Sequence, residues 1–96
     1  MNTTCELDTR TAELNAELER MNSLEHNFWL AATIVKNDAD LTLVVELAKL
    51  ILESQRRILD LLDELIDDGK ISNMKATRIM QELDKKVHAI CNTVFS

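Results

Sequence analysis

The stretch ELIDDGKISNMK, residues 64–75, decides how this chain folds, because it contains the only glycine, Gly69, of a sequence without proline. Apolar residues recur with the 3.6-residue period of an α-helix on both sides of it. Glycine readily adopts the left-handed conformation that ends many helices, and Ser72 or Asn73 can cap the helix that follows. The stretch therefore predicts a turn between two packed helices.

A calcium-binding loop of the EF-hand type is the alternative interpretation of these letters. Such a loop needs oxygen ligands at its first, third and fifth positions, glycine at the sixth and a bidentate glutamate at the twelfth. With Gly69 at the sixth position, Ile66 takes the third and Lys75 the twelfth. Ile66 has no oxygen to offer, and Lys75 brings a positive charge where the cation needs a carboxylate. We therefore expect a turn and no metal.

The composition extends the helical prediction to the whole chain of 96 residues. Hydrophobic residues make up 46% and charged residues 29%, as in a folded protein rather than a disordered or membrane one. A β-rich chain would need several Gly or Pro turns. We predict an all-α fold in one domain, 1–96, with helices over about residues 4–36, 38–68 and 73–94. Short connections favour antiparallel neighbours, which gives an up-down-up three-helix bundle.

The first predicted helix carries a heptad-like apolar seam of the kind found in coiled coils. Trp29, Leu30 and Ile34 lie off this seam, so the helix becomes apolar on several faces toward its end. Glu25 falls within the seam and interrupts it. The seam consists of Leu7, Leu14, Met21, Phe28 and Val35.

The second predicted helix has more apolar surface than a small bundle can cover. Its apolar positions fill roughly 200° of its circumference, whereas ordinary bundle helices bury about three-sevenths of theirs. The excess is greatest over residues 41–52. We therefore expect dimerisation, or a helix of a protein partner, to complete the bundle. The residues predicted to bind this partner are Phe28, Trp29, Leu43, Leu47, Leu50 and Leu61.

Charge is unevenly distributed along the chain, and the net charge is −6. Residues 38–69 carry nine acidic against three basic side chains, and residues 70–96 carry two against five. A general nucleic-acid binder needs a cationic surface, and a reader of bases also needs polar contacts to base edges. We therefore expect no direct nucleic-acid contact, although the third helix offers the basic residues Lys75, Arg78, Lys85 and Lys86.

The chain has the features of a soluble intracellular protein, cytoplasmic or nuclear. Residues 1–6 lack the basic start and apolar run of a signal peptide, and apolar runs such as residues 28–35 are far shorter than the ~20 residues of a membrane span. Two cysteines are too few for a disulfide framework and suit a reducing compartment. An up-down-up bundle would place Cys5 and Cys91 at opposite ends, so we predict no bridge between them.

Three further groups of residues are candidates for chemistry. His88 and Cys91, three residues apart on a helix, could share a metal, but two ligands do not close a zinc site. His26 beside Glu25 lacks an accompanying nucleophile or second acid. We therefore predict no catalytic, cofactor or metal site. The acids of the third group could hold a divalent ion, but we interpret them as a solvated face or a surface for a basic partner; they are Asp60, Asp63, Glu64, Asp67 and Asp68.

The segment LDELIDDGKISNMKATRIMQELDKKV, Leu62–Val87, resembles the helical hairpin of the small (gamma) subunit of the eukaryotic transcription factor TFIIA. In that family the hairpin joins one from a partner subunit to form a four-helix bundle. The family's strands that meet the TATA-binding protein and DNA have no counterpart here, so those contacts are not carried over. The resemblance implies pairing with a partner through Leu62, Ile66, Ile79, Leu83 and Val87.

These patterns predict a non-enzymatic interaction protein that packs helix on helix, with itself or with a helical protein partner. The resemblance favours a role in transcription-related assembly. The alternative is a small bacterial or viral chaperone or anti-activator that masks a hydrophobic helix of its partner. A metal-dependent enzyme and a helix-turn-helix DNA binder are the hypotheses from other classes. No membrane, cofactor or small-molecule substrate is expected.

Overall fold

A computed structural model describes the backbone of residues 2–95 and the side chains of residues 9–95. It contains three helices, α1 (Asn2–Thr33), α2 (Asp38–Asp67) and α3 (Asn73–Phe95). No strand occurs in residues 2–95, which confirms the all-α prediction. Two predictions concern side chains outside the described residues. One is the absence of a disulfide at Cys5, and the other is the place of Leu7 in the heptad seam.

The turn between α2 and α3 has the predicted geometry around Gly69. The backbone of Gly69 is left-handed, with φ of 70°. Its N–H donates to the Ile66 carbonyl at 3.0 Å and the Lys70 N–H donates to the Leu65 carbonyl at 2.9 Å, which together form a Schellman motif. The Ser72 hydroxyl then accepts from the Lys75 N–H at 3.1 Å and caps α3. Local chemistry therefore fixes both ends of this turn.

The connection between α1 and α2 begins earlier than the sequence predicts. The first helix ends at Thr33 rather than at Lys36, because Thr33, Ile34 and Val35 form a β-branched run that loses side-chain freedom in a helix. The Ile34 N–H donates to the Ala31 carbonyl at 3.3 Å and closes the last turn tightly. Asn37 caps α2 by accepting from the Asp40 N–H at 2.9 Å. Val35 therefore leaves the helical seam.

The three helices form an antiparallel bundle in which α2 packs against both neighbours. Within residues 2–95, no Cα atom of α1 approaches one of α3 to within 8 Å. The described chain measures 54 × 24 × 15 Å, so its two short dimensions are unequal, as expected when α2 lies between the other helices in a flattened layer. This arrangement leaves one side of each helix without a helical neighbour.

The core follows the predicted faces of the helices. Leu14, Met21 and Phe28 of the seam are buried, whereas Val35 is exposed because it lies in the connection. The remaining core residues are Ala31 of α1; Val44, Ala48, Ile51, Ile58, Leu61, Leu62 and Leu65 of α2; and Ala76, Leu83, Val87 and Ile90 of α3.

Candidate partner-binding surface

The six residues predicted to bind a partner divide between the core and the surface. Phe28 is 0% exposed and Leu61 is buried, so a partner cannot contact them while the fold is intact. Leu47 is half-buried. The other three, Trp29, Leu43 and Leu50, are exposed. Trp29, Leu43 and Leu50 therefore stay available to a partner, whereas Phe28 and Leu61 belong to the core.

Most of the exposed apolar surface lies at the end of the bundle where α1 joins α2. Of the eleven large apolar side chains exposed within residues 9–95, seven belong to the last turns of α1, the connection, the start of α2 and the end of α3. Their exposed fractions range from 38% for Trp29 to 69% for Phe95. We call this surface the apolar end; it consists of Trp29, Leu30, Ile34, Val35, Leu41, Leu43 and Phe95.

Phe95 reaches the apolar end because α3 runs parallel to α1 and at the same height. The Lys86 ammonium lies 3.9 Å from the Glu25 carboxylate and donates to the Asn22 side chain at 3.0 Å, which aligns the two helices at this level. Phe95 follows Lys86 by nine residues and Ile34 follows Glu25 by nine. An equal rise of about 1.5 Å per residue brings both to the same end.

The three elements that meet at the apolar end also lack charge there. Residues 26–35, 41–45 and 87–95 contain no Asp, Glu, Lys or Arg. The charged residues that directly flank these segments in sequence are Glu25, Lys36, Asp40, Glu46 and Lys86. The chain is therefore amphipathic along its long axis, with an apolar end and a strongly charged opposite end.

Trp29 contacts the core through the side chain of its neighbour Phe28. The two rings make an edge-to-face contact, with centroids 5.0 Å apart and planes at 82°, a favoured geometry for aromatic pairs. The Thr33 hydroxyl donates to the Trp29 carbonyl at 2.7 Å and holds the last turn of α1. The buried Phe28 therefore supports a partly exposed, positioned indole.

A groove of about 300 Å³ runs between α1 and α3. Its apolar lining comes from Leu18 and Met21 of α1 and from Ile79 and Leu83 of α3. Leu18 and Ile79 are half-buried, while Met21 and Leu83 are buried, so the groove offers less open apolar area than the apolar end. Its polar rim consists of Asn22, Arg78, Glu82 and Lys86.

A buried polar pair joins α1 to α2, and the sequence analysis missed it. The Ser54 hydroxyl donates to the Glu17 carboxylate at 2.6 Å, and both residues are buried. Arg20 and Arg57 approach the same carboxylate at 3.4 and 3.5 Å. The sequence does contain a signal for this pair. Glu17 lies three residues after Leu14, and Ser54 lies three residues after Ile51, so both are on the core faces of their helices. The Ser54 hydroxyl and the two guanidinium groups therefore satisfy the Glu17 carboxylate within the chain, so it is not offered to a ligand.

The other candidate residues are placed separately. His26 and His88 are exposed and Cys91 is half-buried, while Glu25 faces Lys86. Within the described residues no three His, Cys, Asp or Glu side chains come together as metal ligands would, and no described helix could cross a membrane. All five acids of the cluster over residues 60–68 are exposed, and Asp68 forms an ion pair with Arg10 of α1.

No protein-family model, curated protein or solved structure matches this chain. The resemblance of Leu62–Val87 to the TFIIA hairpin therefore stays a prediction. Three of the residues through which it implies pairing, Leu62, Leu83 and Val87, are buried within this chain, and Ile66 and Ile79 are half-buried. The surface available to a partner is therefore inferred from the exposed residues of this structure and not from the resemblance.

Proposed function

We propose that this chain is a non-enzymatic helical interaction protein that binds protein through its apolar end. The observation that carries the proposal is the concentration of exposed apolar side chains, including the indole of Trp29, on an uncharged surface. Monomeric proteins rarely expose contiguous apolar patches beyond a few hundred Å², and larger ones are typical of interaction sites. Aromatic side chains held in place by the fold also supply much of the energy of protein interfaces.

The apolar end is large enough for specific binding. Seven partly exposed side chains at about 85 Å² each give a patch of roughly 600 Å². Covering that area at about 25 cal/mol per Å² contributes on the order of 15 kcal/mol. Loss of translational and rotational freedom offsets about 4–15 kcal/mol of this. The remainder supports an association whose strength depends on how well the partner fits.

The single tryptophan allows a direct test of this proposal. Because the chain has one Trp, acrylamide quenching of its fluorescence reports on the apolar end alone. At a nanomolar concentration at which sedimentation is first used to check that the chain is a monomer, we expect Trp29 to be readily quenched. A monomer whose Trp29 is as protected as a core tryptophan would contradict the proposal, because its own fold would then cover the surface.

The groove between α1 and α3 favours a second function, that of a small chaperone or anti-activator holding a hydrophobic helix of another protein. A helix seated there would complete a four-helix bundle with α2 opposite to it. The test is fluorescence anisotropy of a labelled amphipathic peptide with leucines at helical spacing. Ile79→Lys should weaken binding, whereas Gln81→Lys, on the exposed side of the same helix, should not; equal binding by both variants would exclude the groove.

Transcription-related assembly is one use of a protein-binding surface of this kind. The resemblance of Leu62–Val87 to the TFIIA hairpin is what supports it. We propose it as a setting for the interaction and assign no residue of the apolar end to it.

A further inference from the structure

We propose that the partner of the apolar end is a second copy of this chain, bound in a two-fold symmetric, end-to-end dimer. The inference rests on the proposed function and adds the identity of the partner. In such an isologous contact both copies use the same patch. Every contact between a residue of the first copy and a residue of the second is therefore repeated with the two copies exchanged. The patch must therefore be compatible with itself in area and in charge.

The area of the apolar end suits a dimer of this kind. Two patches of roughly 600 Å² bury about 1,200 Å² in total, at the lower bound of the range for specific protein interfaces. The exposed side chains come from the connection and from all three helices, so they surround one end of the bundle. The contact would therefore cover large apolar side chains that the isolated chain leaves in water.

The charge distribution lets a second copy approach the apolar end, because the three segments that form this end carry no charged side chain. A net charge of −6 makes two copies repel each other, but residues 26–35, 41–45 and 87–95 contribute nothing to it. The described chain is 54 Å long, and the acidic residues 60–68 lie at its other end. An end-to-end dimer separates the two acidic clusters by far more than the ~8 Å screening length of physiological salt. The net charge therefore opposes this dimer very little.

The rim of the apolar end carries both signs of charge next to each other. Lys36 is followed closely by Asp38 and Asp40, and the Asp40 carboxylate accepts from the Lys36 N–H at 3.0 Å, which leaves the Lys36 ammonium outside this local bond. A two-fold axis through the apolar end turns the connection of one copy toward that of the other. Lys36 of one copy can then face Asp38 of the second, and the second copy repeats the pair in reverse.

The decisive experiment measures the mass of the full chain by sedimentation and the emission of Trp29 over the same concentration series. We expect a monomer–dimer equilibrium, with the Trp29 emission shifting to shorter wavelength and its quenching falling as dimer forms. Leu30→Glu should raise the dimer dissociation constant by about 100-fold, because the substitution enters the interface twice and buries an unpaired charge each time. Leu30 is 54% exposed in the single chain, so the variant should still fold, as circular dichroism would check.

Met74→Glu is the matched control. Met74 is also a large exposed apolar residue, 74% accessible, but it lies in the first turn of α3 at the charged end of the bundle. The same substitution there should leave the dissociation constant within about twofold of the starting protein.

X-ray scattering from the dimer should give a maximum dimension approaching twice the 54 Å of the single chain.

The possible results separate this inference from the proposed function. A chain that stays monomeric at high micromolar concentration with an open Trp29 overturns the dimer and leaves binding of a different protein in place. A dimer that forms without a change in Trp29 emission, and whose dissociation constant is the same for the Leu30→Glu variant, overturns this interface. The chain would then associate through another surface. A monomer with a protected Trp29 overturns both.

Discussion

Replacing Ser54 by Ala removes the buried hydroxyl that donates to Glu17 and tests what holds α1 in register on α2. The hydrogen bond is short, 2.6 Å, and its acceptor is a carboxylate that is 8% exposed. Hydrogen bonds to charged groups contribute about 1.5–3 kcal/mol. Alanine recovers up to about 0.5 kcal/mol through its better helix propensity. We therefore expect Ser54→Ala to lower the free energy of unfolding by about 1–2.5 kcal/mol.

The assay is urea unfolding followed by circular dichroism, at one fixed protein concentration because association would add to the apparent stability. A thermal melt gives a second measurement. A destabilisation of this size lowers the melting temperature of a domain of 60–100 residues by several degrees, at about 4–8 °C per kcal/mol. Ser23→Ala is the control, since Ser23 is exposed on α1 and only the propensity gain remains. The two Ser→Ala substitutions should therefore change stability in opposite directions.

A double-mutant cycle with Glu17→Gln isolates the contact between the two side chains. We expect a coupling free energy of about 1 kcal/mol or more, because the residues touch and share one hydrogen bond. A coupling near zero, or a Ser54→Ala protein as stable as the Ser23→Ala protein, would refute the view that this pair stabilises the α1–α2 interface.

Four further substitutions test the turn, the division between core and surface, and the surface ion pair. Gly69→Ala should cost about 1–2 kcal/mol, since a Cβ there meets no atom within 4 Å and the only penalty is the left-handed backbone; no change in the urea midpoint would contradict this. Phe28→Ala should cost about 3–5 kcal/mol through a core cavity. Trp29→Ala should cost a dilute monomer less, about 0.5–1.5 kcal/mol, because it loses the edge-to-face contact with Phe28; equal losses would show that both side chains are core. Arg10→Ala should cost no more than about 1 kcal/mol, because its ion pair with Asp68 is roughly half exposed on both sides; this loss should shrink in 1 M salt, and a salt-independent loss would point to packing instead.

The helices and their ends were largely predictable because they depend on local chemistry. The spacing of apolar residues identified three helices, and Gly69 and Ser72 formed the motifs that their side chains and backbone preferences favour. The end of α1 was misplaced by three residues. There the apolar pattern continued through Ile34 and Val35, while the β-branched run and the Asn37 cap ended the helix, so local backbone chemistry prevailed over periodicity.

The candidate site was only partly predictable, for a geometrical reason. Periodicity shows which side of a helix is apolar, but α2 has a wider apolar arc than its neighbours cover, and the sequence does not say which sector stays open. Phe28 and Trp29 are adjacent and both aromatic, yet one is fully buried and the other partly exposed. Their difference follows from where α2 passes α1, which depends on side chains distant in the chain.

The sequence by itself determined the helical class, the chemistry of the turns and the excess of apolar surface, because each depends on residues close together in the chain. The tertiary structure alone decided that this excess gathers at one end, that Phe95 reaches that end through the alignment of Lys86 with Glu25, and that Glu17 and Ser54 meet. Each of these facts depends on the height and rotation of one helix against another, and those are fixed by packing between residues tens of positions apart.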